Sequence, residues 1–205
     1  MYQGQKSLNL FFTKNIFLGS FYEIDKIPNK NIPECCFLGR SNVGKSSIIN
    51  SISQSKKLAK VSKTPGRTQS INVFEVSKKL NIVDLPGYGY SNLSKNSQEY
   101  LSRLLLSYLN KRNNLKKIYI LIDCKVGIKE IDINALDIIA SLNTFFGIIL
   151  TKIDKCSHAI MKKQKNSILS LLENYPKSSR NILTISNKNN EGISDIQKDI
   201  FTLTD

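Results

Sequence analysis

The sequence predicts an α/β fold: a mixed, mostly parallel six-stranded sheet with one antiparallel strand and helices on both faces. Three observations predict it. Short apolar runs of strand length alternate with segments whose apolar residues recur at helical spacing. Two further strand-like runs are separated by only three residues, which is hairpin spacing. A glycine-containing loop joins the first of the alternating strand-like runs to a helical pattern.

Length and composition favour one globular domain. The chain has 205 residues, 40% of them hydrophobic and 22% charged. We expect an N-terminal extension over residues 1–20 and a single domain over residues 21–205. The apolar residues near the start are split by Lys14 and Asn15, which favours mature protein over a signal peptide. No apolar run reaches the roughly 18 residues that a membrane span needs. We therefore expect a cytoplasmic monomer with no stable membrane insertion.

The charge balance indicates an anionic partner. Lys and Arg number 30 against 16 Asp and Glu, a net charge of +14, which favours phosphate-rich polymers or anionic surfaces. Each basic cluster could equally be a solvated face of the protein. The clusters are Lys56, Lys57, Lys60 and Lys63; Lys111, Arg112, Lys116 and Lys117; and Lys162, Lys163 and Lys165. The four cysteines form no C-x-x-C pair and there is one histidine, so we expect no zinc site.

Near-continuous apolar runs predict buried parallel strands. They are 34–38, 117–123, 146–151 and 182–186. Helices are predicted between them from i, i+3, i+4 spacing, first around Leu101–Leu109 and again around Ile168–Tyr175. Ser194 and Gln197 fit a capping box ahead of a C-terminal helix.

The antiparallel strand is predicted where the alternation breaks. Residues 71–76 and 80–84 are two strand-like runs joined by Ser77-Lys78-Lys79.

The first motif predicts a phosphate-binding loop. Residues 39–46 read G-R-S-N-V-G-K-S and fit G-x-x-x-x-G-K-[ST], between a predicted strand and a predicted helix. Its glycines allow backbone N–H groups to face phosphate oxygens at a helix N-terminus. Lys45 is placed to reach the β- and γ-phosphates, and the Ser46 hydroxyl to bind Mg²⁺. The loop residues are Gly39, Arg40, Ser41, Asn42, Val43, Gly44, Lys45 and Ser46.

Two further motifs extend the site. Asp84-Leu85-Pro86-Gly87 follows a predicted strand, so that Asp84 can hold the metal through water and Gly87 can offer its N–H to a γ-phosphate. Thr151-Lys152-Ile153-Asp154 follows another strand. The Asp154 carboxylate can accept two hydrogen bonds from guanine, a donor pair that adenine lacks, and this disfavours an ATP-dependent kinase. After the last predicted strand, a backbone N–H within Ser186-Asn187-Lys188 could meet the guanine carbonyl oxygen.

These motifs, in this order, resemble the Ras-like P-loop GTPases of the translation-factor class, and more closely the EngB family. GRSNVGKSS, KTPGRTQSINVF (63–74), DLPGYGY (84–90) and TKIDK carry the likeness, which spans about residues 32–200. The resemblance implies a GTPase switch that binds GTP or GDP with Mg²⁺. It further implies a role in large (50S) ribosomal subunit assembly, through ribosomal RNA, and in normal septation.

The resemblance also assigns residues. It makes Gly66, Arg67, Thr68, Gln69 and Ser70 the first switch. Thr68 would be a catalytic residue and metal ligand that senses Mg²⁺ and the γ-phosphate. Guanine capping would fall on Ile185, Ser186 and Asn187. Asp123-Cys124-Lys125 stands where the family commonly has Asp-x-Arg, so no arginine acts there.

Tyr88 stands where many GTPases have the glutamine that orients the attacking water. We therefore expect slow intrinsic turnover. In GTPases that resemble this chain, an asparagine at the position of Asn42 helps to hold K⁺ beside the phosphates. Asn42 is thus a hypothetical K⁺ ligand and catalytic residue alongside Lys45 and Thr68. The alternative is that its side chain only bonds the local backbone.

Two functions remain open at this point. The first is a GTPase switch that docks on ribosomal RNA during assembly of the large subunit, which the net charge favours. The second is a GTP-regulated module that binds division proteins, with the basic surface incidental.

Overall fold

A computed structural model gives the fold over residues 2–29, 31–55, 58–59, 69–89, 93–142 and 144–204, with residues 2–6 described as backbone alone. The helices are α1 (Tyr2–Thr13), α2 (Lys45–Ile52), α3 (Lys95–Lys111), α4 (Glu130–Ala140), α5 (His158–Leu172) and α6 (Ile193–Phe201). The strands are β1 (Asn15–Phe21), β2 (Glu34–Gly39), β3 (Ile71–Val76), β4 (Leu80–Asp84), β5 (Leu115–Asp123), β6 (Phe145–Thr151) and β7 (Leu183–Ile185). Single 3₁₀ turns cover Ile24–Lys26, Ile153–Lys155 and Thr202–Thr204.

The strands form one sheet in the order β1-β3-β4-β2-β5-β6-β7. β4, β2, β5, β6 and β7 pair in parallel, whereas β3 is antiparallel to both of its neighbours. The predicted α/β class and the single antiparallel strand are confirmed. The predicted number of six strands is wrong, because the described part of the sheet has seven.

The additional strand, β1, comes from the segment predicted to be an N-terminal extension. Lys14 and Asn15, which appeared to interrupt one apolar segment, lie where α1 ends and β1 begins. The Asn15 amide donates to the Phe12 carbonyl at 2.8 Å and to the Ser53 carbonyl at 3.0 Å. Phe12 is fully buried in the core. The apolar residues on either side of the break thus cover one face and one edge of the sheet.

Strand residues alternate between two hydrophobic layers, as the two-residue period of a strand requires. Cys36 and Leu38 of β2 pack with α3, α4 and α5 on one face, whereas Cys35 and Phe37 pack with α1, α2 and α6 on the other. Helices therefore cover both faces, as predicted. Among the described residues, no helix combines the length and apolarity needed to cross a membrane.

The last helix does not begin with the predicted capping box. α6 starts at Ile193 with Gly192 as its N-cap, so Ser194 lies inside the helix. Gly192 has a φ of 77°, and a Cβ there would lie 1.8 Å from the Thr184 carbonyl oxygen. Only glycine fits this turn, which explains why it caps the helix. The Gln197 amide instead donates to the Ile52 carbonyl at 2.8 Å and ties α6 to α2.

Two members of one predicted basic cluster point inward. The Arg112 guanidinium pairs with Glu34, which is fully buried and also accepts from the Tyr108 hydroxyl at 3.0 Å. Lys117 pairs with Asp199 at 2.7 Å. Since both cations have internal partners, this cluster presents less charge to solvent than the sequence suggests.

Candidate functional site

The predicted motifs meet at one edge of the sheet. Parallel strands place their carboxyl ends side by side, and ligands of open α/β sheets bind beyond those ends. β2, β4, β5, β6 and β7 end at Gly39, Asp84, Asp123, Thr151 and Ile185. The strand order thereby brings together residues far apart in the chain.

The phosphate loop connects β2 to α2 through a tightly constrained path. A Cβ on Gly39 would lie 2.8 Å from the Leu121 carbonyl oxygen, so the neighbouring strand leaves no room for a side chain. Gly44 caps α2 with a φ of 105°, a conformation that glycine adopts without steric cost. Asn42 is exposed at the tip of the loop with a φ of 64°, which asparagine tolerates better than most residues.

Lys45 lies folded over the loop. Its ammonium donates to the carbonyl oxygens of Gly39 at 3.2 Å and Arg40 at 3.4 Å. Burial lowers the pKa of Lys45, while the charge of Asp84 opposes the shift. The loop carbonyls thus hold a buried cation close enough to Asp84 for the two charges to interact.

Ser46 and Asp84 are brought together as predicted for a metal site. The Ser46 hydroxyl donates to Asp84 Oδ2 at 2.8 Å. Asp84 Oδ1 is buried and has no hydrogen-bond partner among the described residues. Burial raises the pKa of Asp84, with Lys45 and Ser46 acting in the opposite direction. An unpartnered carboxylate oxygen beside a serine hydroxyl fits Mg²⁺, which prefers oxygen ligands.

The D-x-x-G segment runs alongside the phosphate loop. The Leu85 N–H donates to the Phe37 carbonyl, and the Tyr88 N–H donates to the Gly39 carbonyl, both at 3.3 Å. Leu85, Pro86 and Gly87 are buried. The backbone of the predicted second switch thus lies next to the loop that it is predicted to act with.

The predicted first switch is only partly described. Gly66, Arg67 and Thr68 lie outside the described residues. Gln69 is exposed, whereas Ser70 is buried at the start of β3, where its hydroxyl donates to Asn72 at 3.3 Å.

Lys152 connects the predicted guanine motif to the phosphate loop. Its ammonium donates to the Asn42 carbonyl at 2.7 Å and pairs with Asp123 Oδ2 at 2.8 Å. Burial alone would raise the pKa of Asp123, but the hydrogen bond and charge of Lys152 and the backbone N–H groups of Lys125 and Val126 lower it. Asp123 thus stays ionised and fixes the lysine stem.

Asp154 is held from the opposite side by the last motif. The buried Ser186 hydroxyl donates to Asp154 Oδ1 at 2.7 Å. The Ser186 N–H is used by the Glu191 carbonyl at 3.1 Å. Asn187 accepts from the Ser51 hydroxyl of α2 at 3.2 Å. Ile185 and Thr151 are fully buried, and Ile153 nearly so.

Sequence reasoning missed two aspartates of this region. The sequence singles out Asp123 only as the start of Asp123-Cys124-Lys125, although its position at the end of β5 indicates a place at the site. Asp132 lies at the start of α4 and pairs with Arg40 of the phosphate loop at 3.2 Å. No motif signals this second contact, which joins residues 92 positions apart.

A G-x-x-x-x-G-K-S loop, a D-x-x-G segment and a TKID segment, brought together on this α/β sheet, define a P-loop GTPase. The family model described as 50S ribosome-binding GTPase matches residues 34–152. A probable GTP-binding protein EngB of Rickettsia africae (strain ESF-5) is 42% identical over 189 residues, covering 92% of this chain and 87% of the relative. The chain belongs to the EngB family of GTP-binding proteins and is a GTP-hydrolysing enzyme.

Solved structures support the same fold. A crystal structure of a probable GTP-binding protein engB has a TM-score of 0.66 at 24% identity and covers 83% of this chain and 98% of its own. Era in complex with MgGDPNP and nucleotides 1506–1542 of 16S ribosomal RNA has a TM-score of 0.67 at 21% identity, covering 84% of this chain and 56% of Era.

We predict that Gly39→Ala destabilises the chain and weakens nucleotide binding together. Because its Cβ would press on the Leu121 carbonyl, β5 or the phosphate loop must shift, at a cost of about 1–3 kcal/mol in the free energy of unfolding. Urea unfolding and titration with fluorescent GDP measure the two effects. Gly147→Ala in β6 is the matched control, since its Cβ would meet Lys117 and Ser179 atoms at an ordinary 3.5 Å. Equal behaviour of the two variants would contradict the prediction.

Proposed function

We propose that this GTPase is a switch in the assembly of the large ribosomal subunit and binds its nucleotide through the residues described above. Residues 39–46 bind the phosphates, and Lys45 neutralises charge on the β- and γ-phosphates. Gly87 donates its N–H to the γ-phosphate. The observation that carries the nucleotide assignment is the Ser186–Asp154 hydrogen bond, because it orients a carboxylate for guanine.

Ser46 and Asp84 are the proposed Mg²⁺ residues, joined by Thr68 from outside the described residues. The bound ion would neutralise charge on the phosphates. Asp84 Oδ1, which has no hydrogen-bond partner in the described part of the chain, supports this assignment, since a buried carboxylate oxygen without a donor is costly unless a ligand completes it.

The guanine base is proposed to lie along the Lys152 stem with its N1–H and amine on Asp154. Because the Ser186 N–H already bonds Glu191, the N–H that meets the guanine carbonyl comes from Asn187 or Lys188. The proposed register of the capping motif is therefore one in which Ser186 supports Asp154 and the following residues face the base.

Ser186→Ala is expected to weaken GDP and GTP binding by about fivefold, the effect of losing one hydrogen bond of about 1 kcal/mol. Asp154→Asn should shift preference from guanine toward xanthine nucleotides. Titration with fluorescent nucleotides measures both. Ser141→Ala serves as the control, because its exposed hydroxyl bonds the Ile138 carbonyl outside the site. Unchanged guanine selectivity in Asp154→Asn would show that the base site is misassigned.

K⁺ stimulation through Asn42 is proposed as a substitute for the missing glutamine. The exposed tip position and the Lys152 bond to the Asn42 carbonyl support a fixed loop that can present the side chain amide. GTP turnover should be faster in KCl than in NaCl at equal ionic strength. Asn42→Gly, which keeps the left-handed backbone, should remove the difference. Equal rates of the unaltered enzyme in the two salts would refute this role.

The ribosomal role is supported by the net charge of +14 and by the description of the matching family model. The basic cluster on α5 is a candidate RNA contact, since Lys162 and Lys163 are exposed. The other candidate cluster, Lys56, Lys57, Lys60 and Lys63, lies outside the described residues. Charge neutralisation of phosphates releases counterions, so such binding must weaken as salt rises.

Co-sedimentation with 50S particles across a salt series tests the ribosomal role. Binding should require a GTP analogue, fall steeply with salt, and weaken in the double variant Lys162→Glu, Lys163→Glu. Lys78→Glu with Lys79→Glu makes the same charge change on the exposed β3–β4 turn and should bind more tightly than the first double variant. Salt-insensitive, GTP-dependent association with a division protein, without ribosome binding, would favour the second function instead.

A further inference from the structure

Asp132 is a fully buried carboxylate that accepts two hydrogen bonds and forms an ion pair with Arg40. The Tyr88 hydroxyl donates to Oδ1 at 2.8 Å, and Arg40 Nε lies 3.2 Å from the same oxygen. The Lys129 N–H donates to Oδ2 at 2.8 Å. A buried carboxylate needs such donors, because it loses its hydration and is costly without them. The phosphate loop, the second switch and the start of α4 are therefore joined at one side chain.

Arg40 and Tyr88 are also paired through their backbones. They form a parallel bridge, and the Tyr88 N–H bonds the carbonyl of Gly39. The Arg40 guanidinium is further fixed by the Gly127 carbonyl at 2.8 Å. Asp132 thus binds the side chains of Arg40 and Tyr88, whose backbones lie side by side. Tyr88 directly follows Gly87 in the chain.

The ring of Tyr88 is half-buried and packs on one side against the hydrophobic core. Tyr88 borders a cavity of about 410 Å³ between the second switch, α3 and α4. Gly89, the next residue, has a φ of 76° and lies at the same cavity. The tyrosine ring therefore has a cavity on one side, and its hydroxyl bond to Asp132 adds to the backbone bond with Gly39 in holding Tyr88 at the phosphate loop.

We propose that Asp132 is a positioning residue of the GTPase reaction, holding Arg40 and Tyr88 so that the Gly87 N–H stays where a γ-phosphate requires it. This inference rests on the proposed role of Gly87. GDP has no γ-phosphate, so the contact should matter for GTP binding and hydrolysis and leave GDP binding unchanged.

Tyr88→Phe tests this by removing one hydroxyl and keeping the ring. Titration with fluorescent GDP and with a non-hydrolysable GTP analogue should show an unchanged Kd for GDP and a Kd about tenfold higher for the analogue. The single-turnover hydrolysis rate should fall as well. Tyr175→Phe is the matched control. The Tyr175 hydroxyl donates at 2.7 Å to Asp137, which lies on α4 like Asp132 but outside the nucleotide site. This variant should change neither Kd.

Asp132→Asn adds a test of the charge on the carboxylate. It should change the ratio of the two dissociation constants in the same direction as Tyr88→Phe, and by more, because Arg40 loses its charged partner and one of the two acceptor oxygens is replaced by an NH₂ donor. Equal weakening of GDP and analogue in Tyr88→Phe would mean that the contact is merely structural. Unchanged or tighter analogue binding would also overturn the proposal. If the unaltered chain bound neither nucleotide, the nucleotide site itself would be refuted instead.

Discussion

The close approach of β2 to β5 is the constraint on which the site depends. Gly39 ends β2 directly against the Leu121 carbonyl, and this contact fixes where the chain leaves the sheet. The phosphate loop, α2 and the D-x-x-G segment take their positions from that exit, because Lys45 and Tyr88 both bond the Gly39 carbonyl. A small change at one backbone atom would therefore move the predicted phosphate and metal residues together.

Electrostatics complements this geometry. The site collects charged side chains that burial would penalise, and each has a partner of its own. Lys45 lies over loop carbonyls and near Asp84, while Lys152 pairs with Asp123. The Asp84 oxygen without a described partner is the exception, and it lies where the metal is proposed. If the proposed nucleotide and metal residues are right, these charges are already placed for an anionic ligand and its cation, and binding needs little reorganisation.

Local motifs could be predicted from sequence because their chemistry depends on neighbours in the chain. The phosphate loop, D-x-x-G and TKID follow strands whose apolar runs mark them. Three features could not be predicted. The change from α1 to β1 at Lys14 and Asn15 has no glycine or proline to signal a turn. Hydrogen bonds of the Asn15 side chain stabilise the turn instead. The cap of α6 depends on a contact between Gly192 and β7. The Asp132 network joins distant residues and leaves no local signal.

A crystal structure of the chain with GDP and Mg²⁺ would show whether the site is formed before the nucleotide binds. We expect the backbone of residues 39–46 to superpose on the structure described above within about 1 Å, as in preorganised complexes. Lys45 should keep its loop carbonyls, Asp154 should keep its bond to Ser186, and Ser46 and Asp84 should face the metal. A rebuilt phosphate loop, or guanine bound away from Asp154, would contradict this expectation.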